Sequence, residues 1–165
     1  MTIDTLKRLL VFLLLCMAQV LVFNRIRLFH CATPLLYVYF VLSFPRNYPK
    51  WSLLLWSFAM GLVIDTFTNT PGVASASLTL IAALQPYYLE LFIPRDADEN
   101  MKVSAAGLGW DKYFTYTGVL VVLFCTVYFL LETFSFFNWG YWLQCVGGSG
   151  IVTLLLILSM ESIRK

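Results

Sequence analysis

The strongest constraint on this chain is a series of long apolar runs that are almost free of charged residues. The clearest extends from residue 139 to 160 without a charged side chain, and another, from 113 to 134, contains only Glu132. A helix needs about 20 apolar residues to cross the hydrocarbon core of a bilayer. It also satisfies its own backbone hydrogen bonds, which lipid cannot do. These runs therefore predict transmembrane helices.

The composition supports one membrane domain over residues 1–165. The chain is 60% hydrophobic and 12% charged, whereas soluble domains carry about 25% charged residues. Apolar runs between the polar turns predict an all-α integral membrane protein with a six-helix bundle. The second run is interrupted by Thr33-Pro34, so a short, tilted or partly re-entrant crossing is its alternative. The predicted spans are about 6–23, 28–44, 51–67, 74–93, 113–134 and 139–160.

The distribution of lysine and arginine predicts the orientation. With six spans, nine of the eleven basic residues fall on the side of the two termini, and only Arg25 and Arg27 fall on the other. Cytoplasmic loops of membrane proteins are enriched in lysine and arginine. Both termini are therefore predicted to be cytoplasmic. The nine are Lys7, Arg8, Arg46, Lys50, Arg95, Lys102, Lys112, Arg164 and Lys165.

Several classes of function find no support in the sequence. The formal net charge of +2 gives no basis for nucleic-acid binding. His30 is the single histidine, Asp65 is the one aspartate within a predicted span, and no zinc motif is present. We therefore expect no enzyme activity, no metal and no cofactor. A disulfide between Cys31 and Cys145 on the outer side stays open.

Asp65 is the most informative residue in the predicted spans. It lies about 21 Å along the third span from Trp51, at 1.5 Å per residue. A carboxylate at that depth is costly unless it is paired, protonated or exposed to water. One interpretation is a buried contact for a partner, a ligand or a helix terminus. The alternative is an interfacial residue that caps the turn at 66–69.

Other residues near Asp65 and in the fourth span form the rest of the predicted site. Gly61 shares a helix face with Asp65 and permits a close approach of another backbone. Pro71-Gly72 predicts a turn in which Gly72 has a positive φ. Pro86 predicts a kink beside the polar Gln85. The partner-binding or structural site is therefore predicted to contain Asp65, Gly61, Gly72, Pro71, Pro86 and Gln85.

This arrangement resembles the rod shape-determining protein MreD family. The resemblance is carried by Gly61-Leu62-Val63-Ile64-Asp65, by Thr70-Pro71-Gly72-Val73-Ala74 after a short turn, and by Pro34-Leu35-Leu36 in the second span. Size and layout match over the whole chain, whereas the motif covers about residues 61–88. The family is similar in fold to the substrate-binding subunits of energy-coupling-factor transporters, which implies a six-helix bundle with an outward cavity.

The resemblance implies a non-enzymatic scaffold of bacterial cell elongation and lateral peptidoglycan synthesis. Its location would be the inner (cytoplasmic) membrane, in contact with membrane lipid. Its partner would be an MreC-like protein, together with MreB, RodA and penicillin-binding protein 2. The alternative is a small-molecule-binding membrane subunit of a transporter, which predicts polar and aromatic groups that converge on an outer cavity. A lipid-handling enzyme is a third reading that lacks a catalytic constellation.

Overall fold

A computed structural model describes residues 2–22, 25–26, 32–97, 101, 103–134 and 138–164. Within these ranges the regular structure consists of seven α-helices, which confirms the prediction of an all-helical chain. The helices are α1 (Thr2–Leu21), α2 (Val38–Leu42), α3 (Lys50–Thr68), α4 (Val73–Glu90), α5 (Ala105–Leu108), α6 (Trp110–Thr133) and α7 (Trp139–Ile163).

Three of these helices, α3, α6 and α7, are long and apolar enough to cross a membrane. They carry large apolar side chains on their outer faces, such as Leu55, Val122 and Ile151, which are 62%, 52% and 64% exposed. Water would penalise this apolar surface, whereas lipid would not. These features indicate a membrane protein. Helices α1 and α4 coincide with two more of the predicted spans.

The turn between α3 and α4 contains two residues in the left-handed region. Asn69 follows α3 with φ of 58°, and Gly72 precedes α4 with φ of 88°. Asparagine and glycine tolerate this conformation better than other residues. The turn thus reverses the chain, and α3 and α4 pack together as a helical hairpin. Gly72 has the positive φ that the sequence predicts.

The second predicted span differs from a continuous helix over 28–44. Its first four residues lie outside the described ranges, residues 32–37 are not helical, and only Val38–Leu42 form a helix. We call residues 32–44, which make up most of the predicted second span, the crossing segment. Nearly all its side chains are buried. A residue before proline avoids the helical region, so Thr33-Pro34 gives a local reason for the non-helical start.

Gln19 of α1 binds the backbone of the crossing segment from one side. Its side-chain nitrogen donates to the carbonyl oxygen of Pro34 at 2.9 Å, and its side-chain oxygen accepts from the backbone N–H of Leu36 at 3.1 Å. Gln19 is 1% exposed. A buried glutamine that donates and accepts in this way replaces hydrogen bonds that a helix would have supplied.

Two hydroxyl groups of α7 bind the same segment from the other side. The Ser149 hydroxyl accepts from the N–H of Thr33, and the Thr153 hydroxyl accepts from the N–H of Leu35, each at 3.0 Å. Irregular backbone at membrane depth is tolerated where protein surrounds it and satisfies its polar groups. Side chains of α1 and α7 supply acceptors for three backbone N–H groups of the crossing segment, those of Thr33, Leu35 and Leu36.

Side-chain contacts show which termini share an end of the bundle. The Arg8 guanidinium carbon lies 4.1 Å from the centre of the Tyr48 ring, and Arg164 donates to the Tyr39 hydroxyl at 3.2 Å. The start of α1 and the end of α7 therefore lie together at what we call the basic end. Of the described basic residues, Arg25 alone belongs to the opposite end. The basic end has Lys7, Arg8, Arg46, Lys50, Arg95, Lys112 and Arg164.

Candidate functional site

Asp65 lies in the last turn of α3, and its carboxylate points at the start of α4. One oxygen accepts from the backbone N–H of Ala74 at 2.8 Å, and the other accepts from those of Gly72 at 3.1 Å and Ser75 at 3.0 Å. The Thr70 hydroxyl donates at 3.5 Å. Asp65 is 4% exposed. The carboxylate is thus buried and surrounded by donors.

This geometry explains why an aspartate is stable here. The first N–H groups of a helix have no partner within the helix, and they carry partial positive charge. Gly72, at the N-cap position of α4, has no side chain that can accept from them. Asp65 supplies the missing acceptor from the neighbouring helix. Of the interpretations left open by the sequence, the contact with a helix terminus is the one observed.

Gly61 permits the close contact of α3 with α4. A Cβ atom on Gly61 would lie 2.2 Å from the Cα of Ser75 and 2.6 Å from its nitrogen. Real Cβ contacts are never that short, and the atoms concerned are backbone. Gly61 and Asp65 are one helical turn apart, and both contact Ser75. The predicted close approach is therefore observed, and it brings the Asp65 carboxylate within reach of α4.

Pro71 and Gly72 are exposed in the turn that follows α3. Gly72 contributes an N–H to Asp65, whereas Pro71 has none to contribute. Together with Gly61 and Asp65 they make one compact unit, the α3–α4 hairpin site, at the end of the bundle opposite the basic end.

Gln85 and Pro86 do not belong to this unit. They lie about 15 Å farther along α4 than Ser75, at 1.5 Å per residue. The Gln85 side chain donates to the Tyr116 hydroxyl at 3.0 Å and to the Phe44 carbonyl at 3.4 Å. Gln85 therefore joins α4 to α6 and to the crossing segment. Pro86 lies inside α4, which continues to Glu90.

A second buried carboxylate, Glu161, was missed by sequence reasoning. It is 5% exposed and lies near the end of α7. Its two oxygens accept from the Ala105 N–H at 3.1 Å and from the Tyr39 hydroxyl at 3.0 Å. Arg164 lies 4.0 Å away, and its hydrogen bond to Tyr39 raises the pKa of Arg164.

A signal for Glu161 was present in the sequence. The C-terminus of a helix disfavours negative charge, so an acidic residue in the last turns of an apolar helix needs a partner elsewhere. Glu161 and Asp65 play equivalent structural roles at opposite ends of the bundle. Asp65 accepts from three backbone N–H groups at the start of α4, and Glu161 accepts from the first backbone N–H of α5. His30 and Cys31, which the sequence raised as ligand or disulfide residues, lie outside the described ranges.

Both carboxylates accept hydrogen bonds from the chain itself. Asp65 accepts from three backbone N–H groups, and Glu161 accepts from one backbone N–H and one phenol. Their chemistry in this structure is to hold elements together. Comparison with known proteins adds no assignment: the chain matches no family model, no curated protein and no solved structure.

Proposed function

We propose that this chain is a non-enzymatic scaffold of the bacterial cell-elongation machinery that binds an MreC-like protein. The observation that carries the proposal is the α3–α4 hairpin site. The residues on which the resemblance to the MreD family rests, Gly61, Asp65 and Gly72, form one interlocked unit. Gly61 lets α3 approach Ser75 of α4, and Asp65 accepts hydrogen bonds from the N–H groups of Gly72 and Ser75.

The proposed location is the bacterial cytoplasmic membrane, crossed six times. Beyond the three apolar helices, α1 exposes a continuous apolar surface with Leu10, Leu14 and Met17, which are 56%, 60% and 57% exposed. Helix α4 and the crossing segment provide the other two passes. The accumulation of basic residues at one end supports a cytoplasmic position for that end. The hairpin site then faces the periplasm.

The hairpin site suits a scaffold because hydrogen bonds and close helix packing define its shape. Near its end, Phe67 is 65% exposed, and Thr66, Pro71 and Ala76 of the same hairpin are also exposed. Exposed aromatic side chains and small residues are typical contact points for a partner. At the basic end, residues 94–112 contain α5 and charges of both signs, and this loop is the proposed contact for MreB. RodA and penicillin-binding protein 2 complete the proposed assembly.

A transporter subunit is the alternative, and the crossing segment is the observation that bears on it. Transporters use interrupted helices to bind substrates and ions near the middle of the membrane. In this chain, however, the polar side chains around the interruption, Gln19, Ser149 and Thr153, bind its backbone. That arrangement favours a structural role for the segment.

Co-purification tests the proposal. The chain is expressed with the MreC-, RodA- and penicillin-binding-protein-2-like proteins of its own organism and purified in mild detergent. We expect a stable complex that contains the MreC-like protein. We further expect Phe67→Ser to weaken it. Leu91→Ser is the matched control, because Leu91 is 77% exposed at the basic end.

Two results would count against this function. Absence of all three proteins from the purified sample contradicts the scaffold. Co-purification instead with an ATPase-driven transport module, or with a bound small molecule, supports the transporter alternative.

A further inference from the structure

Arg8 is held in a fixed position at the basic end. Its guanidinium carbon lies 4.1 Å from the centre of the Tyr48 ring and 4.9 Å from that of Phe44. A guanidinium over aromatic faces is held by attraction to their π electrons. The side chain is half-buried. Unlike a surface arginine that samples many rotamers, Arg8 therefore has a defined location.

The N–H groups of Arg8 are not used by the part of the chain that the structure describes. Among the described residues no carboxylate forms an ion pair with this guanidinium, and no hydrogen bond from it ends on any of them. A guanidinium has five donors in one plane, and aromatic rings that cover its face leave its edge available. The planar edge matches two oxygens of a phosphate or carboxylate. The position is thus prepared for an anion.

The surroundings of Arg8 favour a lipid as the source of that anion. Lys7 precedes it, Arg46 lies two residues before Tyr48, and Asp4 lies one helical turn before Arg8, so the local charge remains positive. Val11, one helical turn after Arg8, and Leu14, farther along the face of Lys7, are exposed apolar side chains. A phospholipid matches this order, because its phosphate lies at the interface and its acyl chains extend toward the bilayer centre.

We propose that Arg8 binds the phosphate of an anionic phospholipid in the cytoplasmic leaflet, with the acyl chains along α1. Phosphatidylglycerol represents the chemical class. The inference depends on the proposed membrane orientation and not on the scaffold role. Juxtamembrane basic residues are attracted to anionic lipid in general. The stacked guanidinium adds a geometric preference for one site over the other basic residues of this end.

Lys50 is the matched control. Its ammonium lies 4.3 Å from the centre of the Tyr87 ring, at the same end of the bundle. It too is a cation over an aromatic face, but an ammonium lacks the planar set of N–H donors, the fork, that a guanidinium has. Lys50→Gln removes the same charge as Arg8→Gln. The Arg8→Lys substitution keeps the charge and removes the fork, so it separates attraction to the membrane surface from binding at one site.

The test uses the purified chain alone, in nanodiscs of phosphatidylcholine with increasing phosphatidylglycerol. Bound anionic lipid is counted by native mass spectrometry after release, and thermal unfolding is followed in parallel. We expect Arg8→Gln to weaken apparent affinity about tenfold or more, which corresponds to about 1.4 kcal/mol. Arg8→Lys should weaken it by less, and Lys50→Gln should leave it near that of the wild type.

Two outcomes would overturn the proposal. One is equal lipid binding by the wild type and by both Arg8 variants. The other is an equal loss in Lys50→Gln, which would show general attraction to charge. If Arg8→Gln does not fold, the comparison of Arg8→Lys with Lys50→Gln still decides the question. Inorganic phosphate should not displace the lipid, and displacement would identify a phosphate site in place of a lipid site. Since no partner protein is present, the result is independent of the scaffold test.

Discussion

Substitution of Asp65 should destabilise the bundle by removing the cap of α4. In Asp65→Ala, the N–H groups of Ala74 and Ser75 lose their acceptor, and both bonds are buried. A buried donor without a partner costs about 1–3 kcal/mol. Two such donors lower the free energy of unfolding by about 2–6 kcal/mol. The N–H of Gly72 adds less, because Gly72 is exposed and water can replace the carboxylate.

The isosteric variant Asp65→Asn gives a sharper test. The two carboxylate oxygens accept from different backbone donors. An amide has one oxygen and one NH₂ group, so either orientation directs the NH₂ at a backbone N–H. We therefore expect a loss of about 1–3 kcal/mol, although size and shape are unchanged. A carboxylate that was merely filling space would tolerate this change.

The assay is unfolding of the purified chain in mixed micelles of a mild and a denaturing detergent. The control is Asp96→Asn, which removes an exposed carboxylate in the loop after α4. Surface changes of this kind are usually within about 0.5 kcal/mol of neutral. If Asp65→Ala and Asp96→Asn unfold with the same free energy, the Asp65 carboxylate does not stabilise α4 and the reasoning is refuted.

Three further substitutions test other contacts of the structure. Gly61→Ala should force α3 and α4 apart and lower the melting temperature sharply. Gly147 has open space around it, so Gly147→Ala should be neutral or stabilising by up to about 1 kcal/mol. Similar melting temperatures of the two variants would contradict the close contact. Glu161→Ala should accelerate amide hydrogen exchange in α5. Glu161→Gln should accelerate it less, because the Tyr39 phenol that donates to the carboxylate can accept from an amide instead. Unchanged exchange in both variants would exclude the anchoring role. Thr153→Val leaves a buried N–H of the crossing segment without an acceptor and should lower the free energy of unfolding by about 1–3 kcal/mol. Thr126→Val loses only an exposed hydrogen bond within α6. Equal losses in unfolding experiments would argue against side-chain support of that segment.

Sequence reasoning located the α3–α4 hairpin site because its determinants are local. Gly61 and Asp65 share a helix face by their spacing, and Gly72 follows in the turn that joins α3 to α4. Helical spacing and turn chemistry were sufficient to bring these residues together. What the sequence left open was the direction of the carboxylate. That depends on how closely α3 approaches α4, which the packing at Gly61 determines.

The contacts of Glu161 could not be predicted in the same way. They join residues 56 and 122 positions apart in the chain. No local pattern identifies Ala105 or Tyr39 as the partner. The sequence alone does not indicate α5 either, because a helix of four residues within a polar loop is too short to show a helical periodicity.

The crossing segment shows a different limit of sequence reasoning. A short run of buried apolar residues has the same composition whether it forms a helix or an extended chain. Thr33-Pro34 indicated an interruption, and a short, tilted or partly re-entrant crossing was an open alternative. The hydrogen bonds with Gln19 and α7 that stabilise the non-helical form involve distant parts of the sequence. Only the folded arrangement reveals them.

The most direct test of the central claim is depletion of this chain in its own organism, with measurement of cell length and width. If the chain is a scaffold of elongation, rod-shaped cells should become rounded, and lateral peptidoglycan synthesis should fall. Wild type and Asp96→Asn should restore the rods, and Asp65→Ala should not. Cells that keep their length and width through many generations after depletion would contradict the account.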